Sequence, residues 1–172
     1  MQYCGMLLRP ANPDDALAVA GVHVRSWQAA YRGLLPDAYL DQLRPEDRAA
    51  RYDFGTLDPL KPKTTVAIAD GSVLGFATVA PCRDPDLPGF GELYALYVDP
   101  DQWGRGIGAA LISAARSSLY QIGFRNAGLW VLAGNVRAER FYQLDQWIPD
   151  GSRRRDTIWD VTVDEVRYQR TL

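Results

Sequence analysis

Apolar residues fall at helical spacing from Ala16 through Val19, Ala20, Trp27 and Ala30 to Tyr31, with His23 on the same stripe. That periodicity predicts a helix burying one face. Ahead of it, Leu7–Pro10 reads as a short strand and Asn12-Pro13-Asp14-Asp15 as a helix start, because Pro suits the first turn and acids complement the dipole. Gly33 closes the helix, and Pro36-Asp37 opens another that carries Tyr39, Leu40 and Leu43. Residues 53–63, with Gly55, Pro59 and Pro62, read as loop. The pattern then turns β-rich at 65–69 and 73–80, joined by Asp70-Gly71, a two-residue hairpin signature. Residues 81–89 hold three prolines with Asp84 and Asp86 and form a loop able to face a substrate. A strand is predicted at 92–98. Ile107, Ala110, Leu111, Ala114, Ala115, Leu119 and Ile122 then line a helix that Gly123 ends. Residues 129–133 are apolar throughout, as a buried central strand should be. Strand, helix, strand implies a parallel pair with a right-handed crossover. A helix around Tyr142 follows, and 161–169 supplies one or two closing strands. The expected architecture is α/β of the α+β type, a mixed and mostly antiparallel sheet with one central parallel pair, in a single domain over 1–172.

The junction after 92–98 carries Gly104, Arg105, Gly106, Ile107, Gly108 and Ala109. Glycine removes the Cβ that would stand between backbone amides and a ligand. Unpaired N–H groups of the following helix converge on the same spot, with the positive end of the dipole behind them. Such a turn suits a phosphate or pyrophosphate. Spacing separates the familiar phosphate loops. A nucleotide-triphosphate loop needs Lys-Ser/Thr after its last glycine, and Gly108 is followed by Ala109-Ala110. A dinucleotide fingerprint needs a later third glycine and a downstream acid; residues 125–131 offer none.

Asn135-Val136-Arg137-Ala138-Glu139-Arg140-Phe141-Tyr142 follows the apolar run 129–133. Glycine turn, strand, Asn, helix and Phe-Tyr, in this order and spacing, resemble the GNAT superfamily of acyl-CoA-dependent N-acetyltransferases over residues 65 to 147. The resemblance implies a GNAT-like sheet whose central parallel strands splay apart, flanked by helices. It implies acetyl-CoA as cosubstrate, with the pyrophosphate on the amides of Gly104 to Ala109. The pantetheine arm would lie along the backbone of Leu96, Tyr97 and Val98 as an added strand does. Asn135 would touch that arm, and Tyr142 would sit beside the thioester sulfur. The implied activity is acetyl transfer to a primary amine by direct attack in a ternary complex; a non-catalytic acyl-CoA-binding regulatory module is the alternative. Two positions depart from the family pattern. Trp103 stands where Gln or Arg is frequent, and Gln146-Trp147 replaces a common Gly-Phe pair, so Gln146 adopts positive φ or the helix ends differently.

Length and charge narrow the partners. The chain has 172 residues, enough for a substantial core, and a formal net charge of −2, which argues against a nucleic-acid surface. Cys4 and Cys82 show no metal spacing and there is one histidine, so neither a disulfide framework nor a metal site is expected. No apolar run is long enough to span a bilayer, and the first residues lack a signal peptide's basic and apolar regions. The expectation is a cytoplasmic protein. Family members often dimerise, so a homodimer is carried forward without an identified interface. Arg153-Arg154-Arg155 reads as a solvated loop.

Amide formation needs a neutral amine, a polarised thioester carbonyl and a proton for the departing thiolate. Tyr142 is the candidate donor; the plainer reading is a core aromatic, as expected for Phe141. Glu92 is the candidate base, placed by strand alternation on the face of Tyr94, Leu96 and Val98. Its alternative is an exposed strand-end carboxylate. Asn135 also suits a helix N-cap. Trp27 and Tyr31 are candidate substrate contacts, and His23 a core or cleft-lining residue. Asp37, Asp41, Asp84, Asp86 and Glu92 would suit a cationic acceptor, a small-molecule amine or a protein amine.

Overall fold

A computed structural model of the protein describes residues 5–172, so Cys4 lies outside the described residues. The N-terminal stripe becomes α1 (Ala16–Ala30), started by a reciprocal cap in which Asn12 accepts from Asp14 N–H and Asp15 from Asn12 N–H. Asp15 also pairs with Arg9 at 2.7 Å, which ties α1 to β1 (Leu7–Pro10). Two short helices follow, α2 (Asp37–Asp41) and α3 (Pro45–Ala49). The sequence pattern did not anticipate α3, which buries none of its residues and so shows no apolar period. The hairpin forms as expected from β2 (Lys63–Ala69) and β3 (Ser72–Pro81). Asp70 and Gly71 both take positive φ, 49° and 74°, as a twist-matched two-residue turn requires.

Next come β4 (Gly91–Val98), α4 (Ile107–Ile122), β5 (Asn126–Leu132) and α5 (Val136–Leu144), then β6 (Ile148–Ile158) and β7 (Val161–Thr171). The sheet runs β1-β2-β3-β4-β5-β7-β6, parallel only between β4 and β5. Val19, Val22, Val66 and Phe76 pack on the α1 face. Leu111, Ile112 and Leu119 pack with Val79, Leu93 and Trp147 on the α4 face. Among the described residues no helix is long and apolar enough to cross a membrane, and no cluster of His, Cys, Asp or Glu is placed to hold a metal ion.

Two expectations need correction. Residues around Arg153-Arg154-Arg155 are not a loop but part of the edge strand β6. Edge strands carry charge, proline and bulges, and β6 has all three, with a register shift between Pro149 and Arg153. The alternation placing Glu92 with Leu96 and Val98 also fails. Thr78 pairs with Ala95 but Val79 with Leu93, so Tyr94 is an inserted residue and the parity inverts across it. Glu92 therefore shares the face of Ala95 and Tyr97, toward α1, while Leu96 and Val98 face α4.

Candidate active site

The parallel pair makes the site by failing to continue. β4 and β5 are joined only at Gly91/Ala127 and Glu92/Gly128, and the strands part beyond. Asp99 N–H bonds back to Leu74 O at 2.8 Å. By ladder alternation, Tyr97 then turns its amide groups to β3, while Leu96 and Val98 turn theirs into the gap. Val98 O is already taken, by Ser26 Oγ at 2.9 Å and Trp103 Nε1 at 2.8 Å. An added strand would find the Leu96 groups and the Val98 N–H. A cavity of about 690 Å³ occupies the gap.

The glycine turn borders that cavity. Gly104 and Gly106 adopt φ of 76° and 84°, and Gly106 caps α4 with no side-chain hydrogen bond to the first turn. The amides at the start of α4 are thus left to a ligand. Gly104, Gly106, Ile107, Gly108 and Ala109 line the cavity, and the exposed Arg105 side chain does not. Trp103, the departure from the family pattern, carries the Arg137 guanidinium 3.3 Å from its ring centroid. Arg137 lines the cavity with no carboxylate partner among the described residues, and burial lowers its pKa. No local motif marked it, because only the packing of α5 brings it to the turn.

Asn135 caps α5 by accepting Ala138 N–H at 3.2 Å and also lines the cavity, so the two readings coexist. Tyr142 is 9% exposed and faces the same cavity, packed edge-on against Phe141 and Trp147. Burial, with the Tyr97 phenol nearby, holds its pKa well above the ordinary phenol value. Tyr31 is raised too, by burial, by the Tyr97 and Tyr142 phenols and by the Glu165 carboxylate. Phenols from α1, β4 and α5 thus converge.

The match that decides the family is to the Acetyltransferase (GNAT) family, over residues 24–145. The chain belongs to the GNAT acetyltransferases. It is accordingly an acetyl-CoA-dependent N-acetyltransferase. An uncharacterized N-acetyltransferase of Bacillus subtilis (strain 168), YuaI, is 32% identical over 128 residues, 74% of this chain and 72% of that one. An uncharacterized N-acetyltransferase of Archaeoglobus fulgidus is 34% identical over 142 residues, 80% of this chain and 89% of that one. In fold, the chain is similar to the PaiA N-acetyltransferase of Thermoplasma acidophilum in complex with coenzyme A, at TM-score 0.74 and 19% identity, covering 98% and 99% of the two chains.

One wall of the acetyltransferase cavity is lined by His23 and Trp27 from α1, by Tyr31 at its C-terminal end and by Trp159 from the β6–β7 turn. His23 is buried, with Nδ1 2.9 Å from the Tyr52 hydroxyl and its ring between Tyr97 and Trp159. Burial and the Arg48 charge push its pKa well below the usual imidazole value, so it stays neutral. Glu92 is 4% exposed and takes long contacts of 3.2 to 3.4 Å from Arg83. Glu165, absent from the sequence reading, lines the cavity at 6% exposure. It accepts from Arg154 Nε at 2.7 Å, and burial raises its pKa against that pull. In sequence it is one of two adjacent acids, and only the strand's placement decides which faces inward.

The acidic groove expected from sequence does not form. Asp37 and Asp41 pair with Arg32, and Asp84 and Asp86 with Arg167. Of the five acids only Glu92 reaches the cavity.

Proposed function

We propose that the enzyme acetylates the primary amine of a small molecule, or of a protein, by direct attack within a ternary complex. What carries this reading is the Tyr142 phenol, buried and un-ionised, facing the cavity shared by the open Leu96 and Val98 amides and the glycine turn. Acetyl-CoA, when bound, supplies the thioester whose carbonyl carbon the amine attacks and whose C–S bond breaks. The amides from Gly104 to Ala109, with the Arg137 guanidinium, suit its diphosphate. Leu96, Val98 and the Asn135 side chain would fix the arm along β4. Tyr142 gives its hydroxyl proton to the sulfur as it leaves, and Glu92 takes the proton from the attacking nitrogen.

Glu165 is a second candidate for that base, favoured by its raised pKa, since a carboxylate moved toward neutrality accepts a proton more readily. The discriminating measurement is the pH dependence of kcat/KM for Glu92→Gln and Glu165→Gln. The true base loses its acid limb, and the other variant keeps it.

The overall reading is tested by thiol release from acetyl-CoA across a panel of amines. Equal yields of thiol and N-acetyl product, with intersecting double-reciprocal lines, are the expected result. Parallel lines, the pattern of a covalent acyl-enzyme, would remove direct attack.

A further inference from the structure

Among the described residues, Trp27 Nε1, Arg48 Nε and Trp159 Nε1 are buried in the cavity wall with no hydrogen-bond partner. Two other such nitrogens, Arg116 Nε and Arg170 Nη1, lie elsewhere, and each reaches the Asp145 carboxylate at 3.0 Å. The cavity nitrogens have no such relief. Trp27 Nε1 lies beside the neutral Tyr97 hydroxyl and the Arg48 guanidinium beside that of Tyr52, and neither phenol is an anion to answer the Arg48 charge.

All three are donors, and none can accept. They arrive from α1, α3 and the β6–β7 turn, yet crowd one spot. The Trp27 and Trp159 ring centroids are 4.4 Å apart, and the Arg48 guanidinium lies 4.4 Å over the Trp159 ring. Trp159 is held there at φ 50°, followed by Asp160 at 63°. Both angles are those of the two-residue hairpin turn between Ile158 and Val161, which fixes the indole in the cavity wall. Charge points the same way. Arg83 is matched by Glu92, and Arg154 by Glu165 and Asp156. Arg48 and Arg51 line the cavity with no carboxylate partner among the described residues.

We infer that these donors form an oxyanion site, and that the acceptor amine carries a carboxylate, or a phosphonate of like charge, bound by Arg48 with Trp27 and Trp159. The inference rests on acetyl transfer in this cavity, as proposed above. A guanidinium edge matches two oxygens at once, and the two indole N–H groups satisfy their remaining lone pairs. An amine lacking the oxyanion leaves the Arg48 charge and the Trp159 N–H unmatched, the situation in which a polar site rejects an analogue most strongly.

The test compares amino carboxylates with one to five carbons between the two groups, their primary amides and the matching aminophosphonates. Thiol release gives kcat/KM, and tryptophan fluorescence gives equilibrium binding. At least one acid should exceed its amide by about 100-fold or more in kcat/KM, with carboxylate against phosphonate rates showing which oxyanion fits. Arg48→Gln, and Trp159→Phe, which keeps a ring but removes the N–H, should each shrink that ratio at least about tenfold. Retained acetyl-CoA affinity by calorimetry reports an intact fold. Amides reacting as fast as the acids, or a ratio unchanged in both variants, would overturn the oxyanion site and leave acetyl transfer standing. Arg48-dependent binding of acids without thiol release for any amine would do the reverse.

Discussion

Tyr142→Phe removes one oxygen from the centre of the proposed chemistry and little else. The side chain is 9% exposed, its ring contacts with Phe141 and Trp147 survive in Phe, and no hydrogen bond among the described residues holds its hydroxyl. Stability should therefore change by no more than about 0.5 kcal/mol. The catalytic loss follows from proton affinity. General acids contribute roughly 10²- to 10⁴-fold, and a thiol leaves with a pKa near ~8.5. Burial places the Tyr142 phenol well above the ordinary phenol value, so it is a reluctant donor and its contribution belongs at the lower end. We expect kcat to fall about 100-fold, equivalent to about 2.7 kcal/mol of barrier. The assay is thiol release at saturating acetyl-CoA, with calorimetry showing cofactor affinity within about twofold of the parent. The same burial keeps the phenol protonated through neutral pH, so the parent profile should show no basic limb from this group below about pH 10. A variant with kcat within threefold of the parent would refute the assignment, as would a loss explained entirely by weaker acetyl-CoA binding.

Gly106→Val should weaken acetyl-CoA binding at least tenfold by calorimetry, because φ of 84° strains a β-branched residue and its Cβ would project into open space over the turn; unchanged affinity would contradict the cradle. Arg167, 5% exposed, donates to Asp84, Asp86, Asp150 and Ser152. Arg167→Met removes the one cation paired with Asp150 and the nearer of the two paired with Asp84 among the described residues, and should cost roughly 3 kcal/mol, a thermal midpoint lower by about 6–12 °C. Arg167 draws the Asp86 carboxyl below its ordinary 3.8, and the Ser152 N–H with Arg167 does so for Asp150 against the opposing effect of burial. Their stabilisation is therefore full above about pH 4 and fades as pH falls through the lower native values, so the gap between parent and Arg167→Met should narrow in acid; a gap that widens there would contradict the pairing. Gln146 sits at φ 65°. Gln146→Gly should relieve about 1–2 kcal/mol of backbone strain less about 0.4–1 of added chain entropy, raising the midpoint by a few degrees in calorimetry, and a lower midpoint would count against strain at this site.

What could be read from the residues alone was whatever depends on near neighbours in the chain. Asp70-Gly71 needs only its own pair of positive φ angles, and the strand, glycine turn and helix around Gly106 need only their local backbone. Helical and strand periods likewise place Leu111 or Val79 against a core without naming the partner. Tertiary structure decided the rest. The bulge at Tyr94 exists because β3 pairs in two registers on either side of it, and a register belongs to two strands, so no reading of β4 alone could turn Glu92 to its true face. Asp84 and Arg167 find each other across more than eighty residues, which removed the acidic groove that the composition suggested. Glu165, Arg137 and the unpartnered donors of Trp27, Arg48 and Trp159 gain their character from burial in a shared cavity. Burial is a property of the assembled sheet and its covering helices, since only packing takes water away from a charge or an N–H and so sets its proton affinity and its need for a partner.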